Sequence, residues 1–225
     1  MKRRKKCPPP RSKNLTKGFK ESYPAAITDI LDIDFQLHNQ WQGPEIKPLT
    51  PDMRLAGPAV TMRFVNDPII LDDAKYEELT TQMVNELKPF HIPVVDTSKC
   101  RNAGFWGELM CTICLERQID GGVRDPYYIY KIGFNMFAAF ACPHEANFNR
   151  SRLESVQTPI LINGVTIRPG DFLMGDLGGV VVVPQEILLD VYTRVKDLEN
   201  KESNTRALIR KGASVKDMLA ADGHL

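Results

Sequence analysis

Two short segments of this chain carry residue types that can do chemistry together. The first is Gly107-Glu108-Leu109-Met110, at the predicted start of a helix. Backbone N–H groups in a first helical turn have no partner inside the helix and can bind a carboxylate. A glycine there lets the ligand approach closely. The second is Gly121-Gly122-Val123-Arg124-Asp125-Pro126, where a short predicted strand runs into the next helix. Arg124 offers a planar fork suited to a carboxylate. Asp125 offers a hard oxygen ligand for a divalent cation. Together the segments can hold a small anionic oxoacid against a metal ion. The same residues also suit a plain structural role, with Arg124 and Asp125 as an ion pair and Asp125 as a helix cap.

Other candidates are less specific. Cys111 and Cys114 make a lone C-x-x-C. A zinc site needs a second Cys or His pair, and the four histidines at 38, 91, 144 and 224 supply none. The two cysteines fall at i, i+3 on a predicted helix, where small apolar residues pack, so a core role is expected. His144 follows Cys142-Pro143 and titrates in the right range for acid–base work, but a lone histidine after a strand also reads as structural or surface. Trp106 precedes the candidate cradle, either as a pocket floor or, as an apolar residue at a helix start, as packing.

The elements that must position these groups alternate through the middle of the chain. Residues 24–41 have helical apolar spacing. Residues 42–54 are rich in Pro and Gly and read as loop. Strands are expected at 56–64 and 92–96, with a helix over 72–87 between them and a polar loop over 98–104. A helix over 107–117, a strand over 119–123 and a helix from Asp125-Pro126 to Gly133 follow. Strands are expected again at 136–142, 153–156, 160–162, 172–174 and 180–183. A long charged helix from Pro184 to Lys211, ended by Gly212, and a last helical turn over 214–221 close the pattern. Such an order implies stacked layers of strand and helix.

Composition sets the frame. The 225 residues are 43% hydrophobic and 25% charged, ordinary for a globular chain of one domain. A collagen-like or low-complexity chain is excluded, and no apolar run reaches membrane-span length. The net charge of +1 conceals an asymmetry. Residues 1–20 hold nine Lys/Arg and no acid, leaving 20 bases against 28 acids in the rest. The expected division is a basic, disordered arm over 1–20 and one domain over 21–225. The arm is a solvated tail or a contact for nucleic acid or an acidic partner. It lacks the apolar stretch of a secretory leader. With five cysteines, an odd number, this suggests reduced thiols in the cytoplasm.

Several segments resemble the family that includes the regulator of ribonuclease E activity A and the 4-hydroxy-4-methyl-2-oxoglutarate aldolases. They are Arg54-Leu55-Ala56-Gly57-Pro58-Ala59-Val60-Thr61, Gly107-Glu108-Leu109 and Gly121-Gly122-Val123-Arg124-Asp125. Ile167-Arg168-Pro169-Gly170-Asp171, Gly175-Asp176 and Gly179-Val180-Val181-Val182-Val183-Pro184 match as well, as do Lys201-Glu202, Arg206 and Gly212. The resemblance runs in order over residues 25–218. It implies an α/β fold, a layered β/β/α sandwich of the swivelling-domain type, assembled as a homotrimer or a hexamer of two trimers. It implies a class II pyruvate aldolase, a carbon–carbon lyase using Mg²⁺ or Mn²⁺ on a 4-hydroxy-2-oxo diacid, with oxaloacetate decarboxylation as a second activity. Carried over by residue, Gly107, Glu108, Leu109 and Met110 cradle the substrate carboxylate. Arg124 binds substrate and neutralises the enolate oxygen, Asp125 ligates the metal, and Glu202 reaches it through water from a neighbouring subunit. The resemblance leaves a second function open, a non-catalytic regulator bound to an RNA-degrading enzyme or helicase. Here 15 residues separate Glu108 from Arg124, a shorter connection than the family usually has.

Overall fold

The sheet is organised by one long apolar strand. The computed structural model describes residues 9–66, 73–100, 103–117, 126–144 and 150–222. A two-residue strand β1 (Lys47–Pro48) precedes β2 (Leu55–Val65), whose sequence LAGPAVTMRFV is buried at nine of its eleven positions. A near-continuous apolar run of this kind is what a strand covered on both faces requires. The first half of β2 pairs antiparallel with β8 (Phe172–Asp176), Leu55 opposite Gly175, and β8 pairs with β9 (Gly179–Val183). The second half pairs parallel with β3 (Ile92–Lys99) and antiparallel with β5 (Arg152–Val156). One strand thus joins two sheet regions. Gly57 sits at that junction, where a Cβ would lie 2.1 Å from the Phe90 carbonyl oxygen. Two small ribbons complete the β structure: β1 with β4 (Phe137–Ala138), and β6 (Ile160–Ile162) with β7 (Val165–Ile167).

Helices cover the sheet in two groups. The first comprises α1 (Pro9–Lys20), α2 (Pro24–Phe35) and α6 (Leu188–Arg210). Phe19, Ile27, Leu31, Val191 and Val195 from these helices pack on Val181 and Val183 of β9. The second comprises α3 (Asp73–Glu86), α4 (Glu108–Glu116) and α5 (Pro126–Lys131). Met83, Trp106, Cys111, Cys114 and Ile129 pack there on Met62 and Phe64 of β2. A third apolar cluster joins Leu55, Ile92, Val94 and Val182 to Ile160 and Ile167 of the β6–β7 ribbon. The closing helix α7 (Val215–Asp222) begins with a reciprocal cap between Ser214 and Asp217. This is the expected layered α/β architecture.

Several expectations shift. Within the segment assigned to the arm, Pro9–Lys20 is helix α1, and Phe19 is fully buried against Phe172, ring centroids 4.8 Å apart. Burying such a ring stabilises by about 1.5–3 kcal/mol, which tethers the basic segment that composition alone assigns to solvent. The helix expected over 24–41 stops at Phe35, where Gln36 turns left-handed with φ 56°. Strand 136–142 shrinks to Phe137–Ala138, and Val165–Ile167 is an additional strand. Residues 184–187 form a turn before α6, with Ile187 N–H bonded to Pro184 O. The core role of Cys111 and Cys114 holds, both being fully buried. The strand at 119–123, together with Arg124 and Asp125, lies outside the described residues. No helix among the described residues is long and apolar enough to cross a membrane.

Candidate active site

Helix α4 presents an open N-terminus. Its cap is Gly107, at φ −93° and ψ 174°, and no side chain caps it. The first hydrogen bond of the helix runs from Cys111 N–H to Gly107 O at 3.0 Å. The N–H groups of Glu108, Leu109 and Met110 therefore stand at the positive end of the helix dipole, without a side-chain acceptor among the described residues. Glu108 turns its carboxylate along the helix to accept from Thr112 Oγ1 at 2.7 Å. Leu109 is exposed, so its contribution here is its main chain. Cys111 and Cys114 anchor the opposite face of α4 in the core and fix the direction in which this turn points.

Directly before that turn, Phe105 and Trp106 line a cavity of about 340 Å³. One wall is strand β3, from Ile92 to Ser98, and another is formed by Phe137 to Phe140. The interior is mostly apolar, but it carries three buried polar side chains. Asp96 is paired, accepting from Arg63 Nε at 3.2 Å and from Ser98 N–H at 2.9 Å. Gln42 is 2% exposed, and neither its Oε1 nor its Nε2 has a partner among the described residues. Trp106 is 1% exposed, and its Nε1 is likewise without a partner. Its packing role and its place in a pocket wall are both realised. Cys142 also lines the cavity, whereas His144 is exposed, with its carbonyl oxygen accepting from Gly104 N–H. Gln42 and Asp96 escape a sequence reading: Gln42 lies in a Pro/Gly-rich loop without periodicity, and Asp96 lies inside β3, where the strand turns from apolar to polar. The surrounding Val-Val-Asp-Thr-Ser, apolar then abruptly polar, is the signal that points to Asp96.

Glu202 lies elsewhere in the subunit. It sits on α6, in the layer that packs against α2, and its Oε2 accepts from Arg206 Nη2 at 2.5 Å. Burial, with the Glu202 carboxylate nearby, pushes the Tyr23 pKa up to about 12. Within one subunit Glu202 and the α4 cradle belong to different layers. Among the described residues no three His, Cys, Asp or Glu side chains gather closely enough to hold a metal ion. The described part of one chain therefore does not make a metal centre by itself.

The site is thus an uncapped helix start beside a largely apolar cavity in a layered α/β domain. The chain belongs to the RraA-like family (Aldolase/RraA), whose model matches residues 25–182. A protein of Halalkalibacterium halodurans named "Putative 4-hydroxy-4-methyl-2-oxoglutarate aldolase" is 26% identical over 170 residues, covering 72% of this chain and 76% of that one. A crystal structure described as of novel cellulases from microbes associated with the gut ecosystem superposes with TM-score 0.80 at 31% identity, covering 89% and 90% of the two chains. Streptomyces coelicolor RraAS2, described as an unusual member of the RNase ES inhibitor RraA family, gives TM-score 0.75 at 19% identity over 91% and 99%, a likeness of fold. The chain spans 28% and 48% of the length of two further curated relatives it matches.

Proposed function

We propose that this protein is a carbon–carbon lyase that releases pyruvate from a 2-oxo acid with the help of a divalent metal. The observation that carries this reading is the uncapped N-terminus of α4 beside a largely apolar cavity. The N–H groups of Glu108, Leu109 and Met110 take the substrate carboxylate. Arg124 pairs with the same end of the substrate and offsets the charge that develops as the bond breaks. Asp125 holds the metal, Mg²⁺ or Mn²⁺, with Glu202 of a neighbouring subunit reaching it through water; when bound, such an ion polarises the keto oxygen. The apolar walls around Trp106 exclude bulk water and so strengthen each of these contacts.

Self-association supports the placement of Glu202. Leu109 and Ile113 on α4, and Tyr127, Tyr128 and Tyr130 on the neighbouring α5, are exposed apolar side chains of the sort that assemblies cover. A homotrimer or hexamer brings α6 of one subunit to the α4 turn of another. The family relationship makes 4-hydroxy-4-methyl-2-oxoglutarate and oxaloacetate the first substrates for head-group chemistry. Pyruvate release is followed with lactate dehydrogenase, with and without chelator and against the metal-only background. Metal-dependent release above that background is expected, and its absence for every 2-oxo acid tried contradicts the reading.

A second reading, a non-catalytic regulator of an RNA-degrading enzyme or helicase, is favoured by the nine bases and no acids in residues 1–20. Under it, removing residues 1–8 abolishes capture of the partner and no pyruvate is formed.

A further inference from the structure

We infer that helix α1, with the basic residues that precede it in sequence, binds the phosphate backbone of nucleic acid without reading its bases. This stands apart from the lyase reading and uses neither the α4 turn nor the cavity.

Charge points to a polyanion. Residues 1–20 hold nine Lys and Arg and no acid, and five of the nine fall within residues 2–6. The remaining residues hold 20 bases against 28 acids, a net charge of −8. A polyanion is therefore attracted to one segment of the chain and repelled by the net charge of the rest.

The fold turns the basic side of α1 outward. Thr16 and Phe19 are buried, and Leu15 packs on the cluster that holds Val183 and Val191. Phe19 also meets Tyr192 of α6, ring centroids 5.1 Å apart, and Gly18 lies so close to that ring that a Cβ there would run into it. These contacts fix how the helix is rotated. Counting about 100° per residue, Lys13, Lys17 and Lys20 project about 140–200° around the helix from Leu15, opposite the docked face. Lys13 and Lys17 are exposed and Lys20 is half-buried. Lys17 has Glu21 at 3.9 Å, an exposed pair that costs little to give up. A basic stripe is thus held in place by the core, and it continues in sequence into the cluster at 2–6.

The chemistry of the stripe selects the kind of partner. A basic amphipathic helix anchors in a membrane by its apolar face, but here that face is committed to the protein's own core. Protein partners are held mainly by aromatic or apolar anchors, and among the described side chains of α1 no apolar one is exposed. Binding a phosphate backbone asks only for Lys and Arg, and it is driven by release of counterions. Contacts of that kind position a strand and carry no sequence information.

The test is fluorescence anisotropy of the full chain with a labelled uridine homopolymer of about 20 nucleotides, titrated from about 50 to about 200 mM NaCl. Five to seven phosphate contacts give a slope of log affinity against log salt of about −3.5 to −5, which is about 100- to 1,000-fold weaker binding at the upper salt. Lys13→Gln combined with Lys17→Gln should keep the wild-type unfolding midpoint, weaken binding several-fold and reduce the slope by about 1.4. Replacing Lys2, Arg3, Arg4, Lys5 and Lys6 together by Gln should weaken binding more than the α1 pair does. No binding at the lower salt, or a slope shallower than about −3.5, overturns the inference. An unchanged affinity and slope in the Lys13→Gln, Lys17→Gln protein overturns the assignment of α1 to the surface. Poly-glutamate of the same length, or phosphatidylserine vesicles, binding as tightly as the RNA overturns the choice of nucleic acid in favour of an acidic polypeptide or a lipid surface.

Discussion

Tyr23, in the loop between α1 and α2, feels the negative charge of the Glu202 carboxylate on α6. Burial and the neighbouring negative charge hold the phenol in its neutral form, so its pKa rises from 10.0 to about 12. The folded chain then binds this proton more tightly than the unfolded chain. The resulting stability is fully present below pH 10 and is lost as the pH rises through about 12. Tyrosinate absorbance should show one tyrosine titrating last. Tyr23→Phe should abolish that late transition and flatten the fall in the unfolding midpoint over the same pH window.

Much of this geometry is legible in the sequence, and the exceptions have physical reasons. β2 and β9 are dense apolar runs, and a strand buried on both faces cannot look like anything else for long. The α4 turn is announced by Gly107 followed by an acid and an apolar run. Helix α1 is not announced, because its basic and proline-rich sequence argues for solvent while a single residue, Phe19, decides its docking. Gln42 is invisible for a related reason. What matters is that its carboxamide has no partner among the described residues, and sequence records residues rather than hydrogen-bond networks.

The proposed carboxylate cradle is a main-chain device, so it should respond to loss of an N–H more than to loss of a side chain. Glu108 is the first residue of α4, and Gly107 before it is already extended. Proline fits that position with little strain and deletes one donor. Glu108→Pro should retain helicity and bind pyruvate about tenfold more weakly than Glu108→Ala. Equal affinities in the two variants would show that the turn does not take the carboxylate.

The turn at 168–171 is held by a buried carboxylate. Asp171 is 2% exposed and accepts from Arg168 N–H at 2.8 Å, from the Arg168 guanidinium and from Gln185 N–H at 3.2 Å. Asp171→Ala leaves those donors without their acceptor and should destabilise by about 2–4 kcal/mol in urea unfolding. Arg168 retains Glu186 as a second partner, at 2.6 Å, so Glu186→Gln should cost under about 1 kcal/mol.

Gly57 is fixed by space. A methyl group at its Cα would sit 2.1 Å from the Phe90 carbonyl oxygen, a main-chain atom that cannot swing aside. Gly57→Ala should destabilise by about 1–3 kcal/mol or more and loosen the β2–β3 pairing, seen as faster amide exchange at Val60 and Val94.

Under the proposed function, lyase activity depends on Asp125. The most direct measurement is lactate dehydrogenase-coupled pyruvate release by wild type and Asp125→Ala, each titrated with Mg²⁺ and Mn²⁺ and each shown by circular dichroism to be folded. The account predicts a saturable metal dependence in the wild type and a loss of at least about 100-fold in the variant. Equal rates for the two proteins, or release indifferent to chelator, would contradict it.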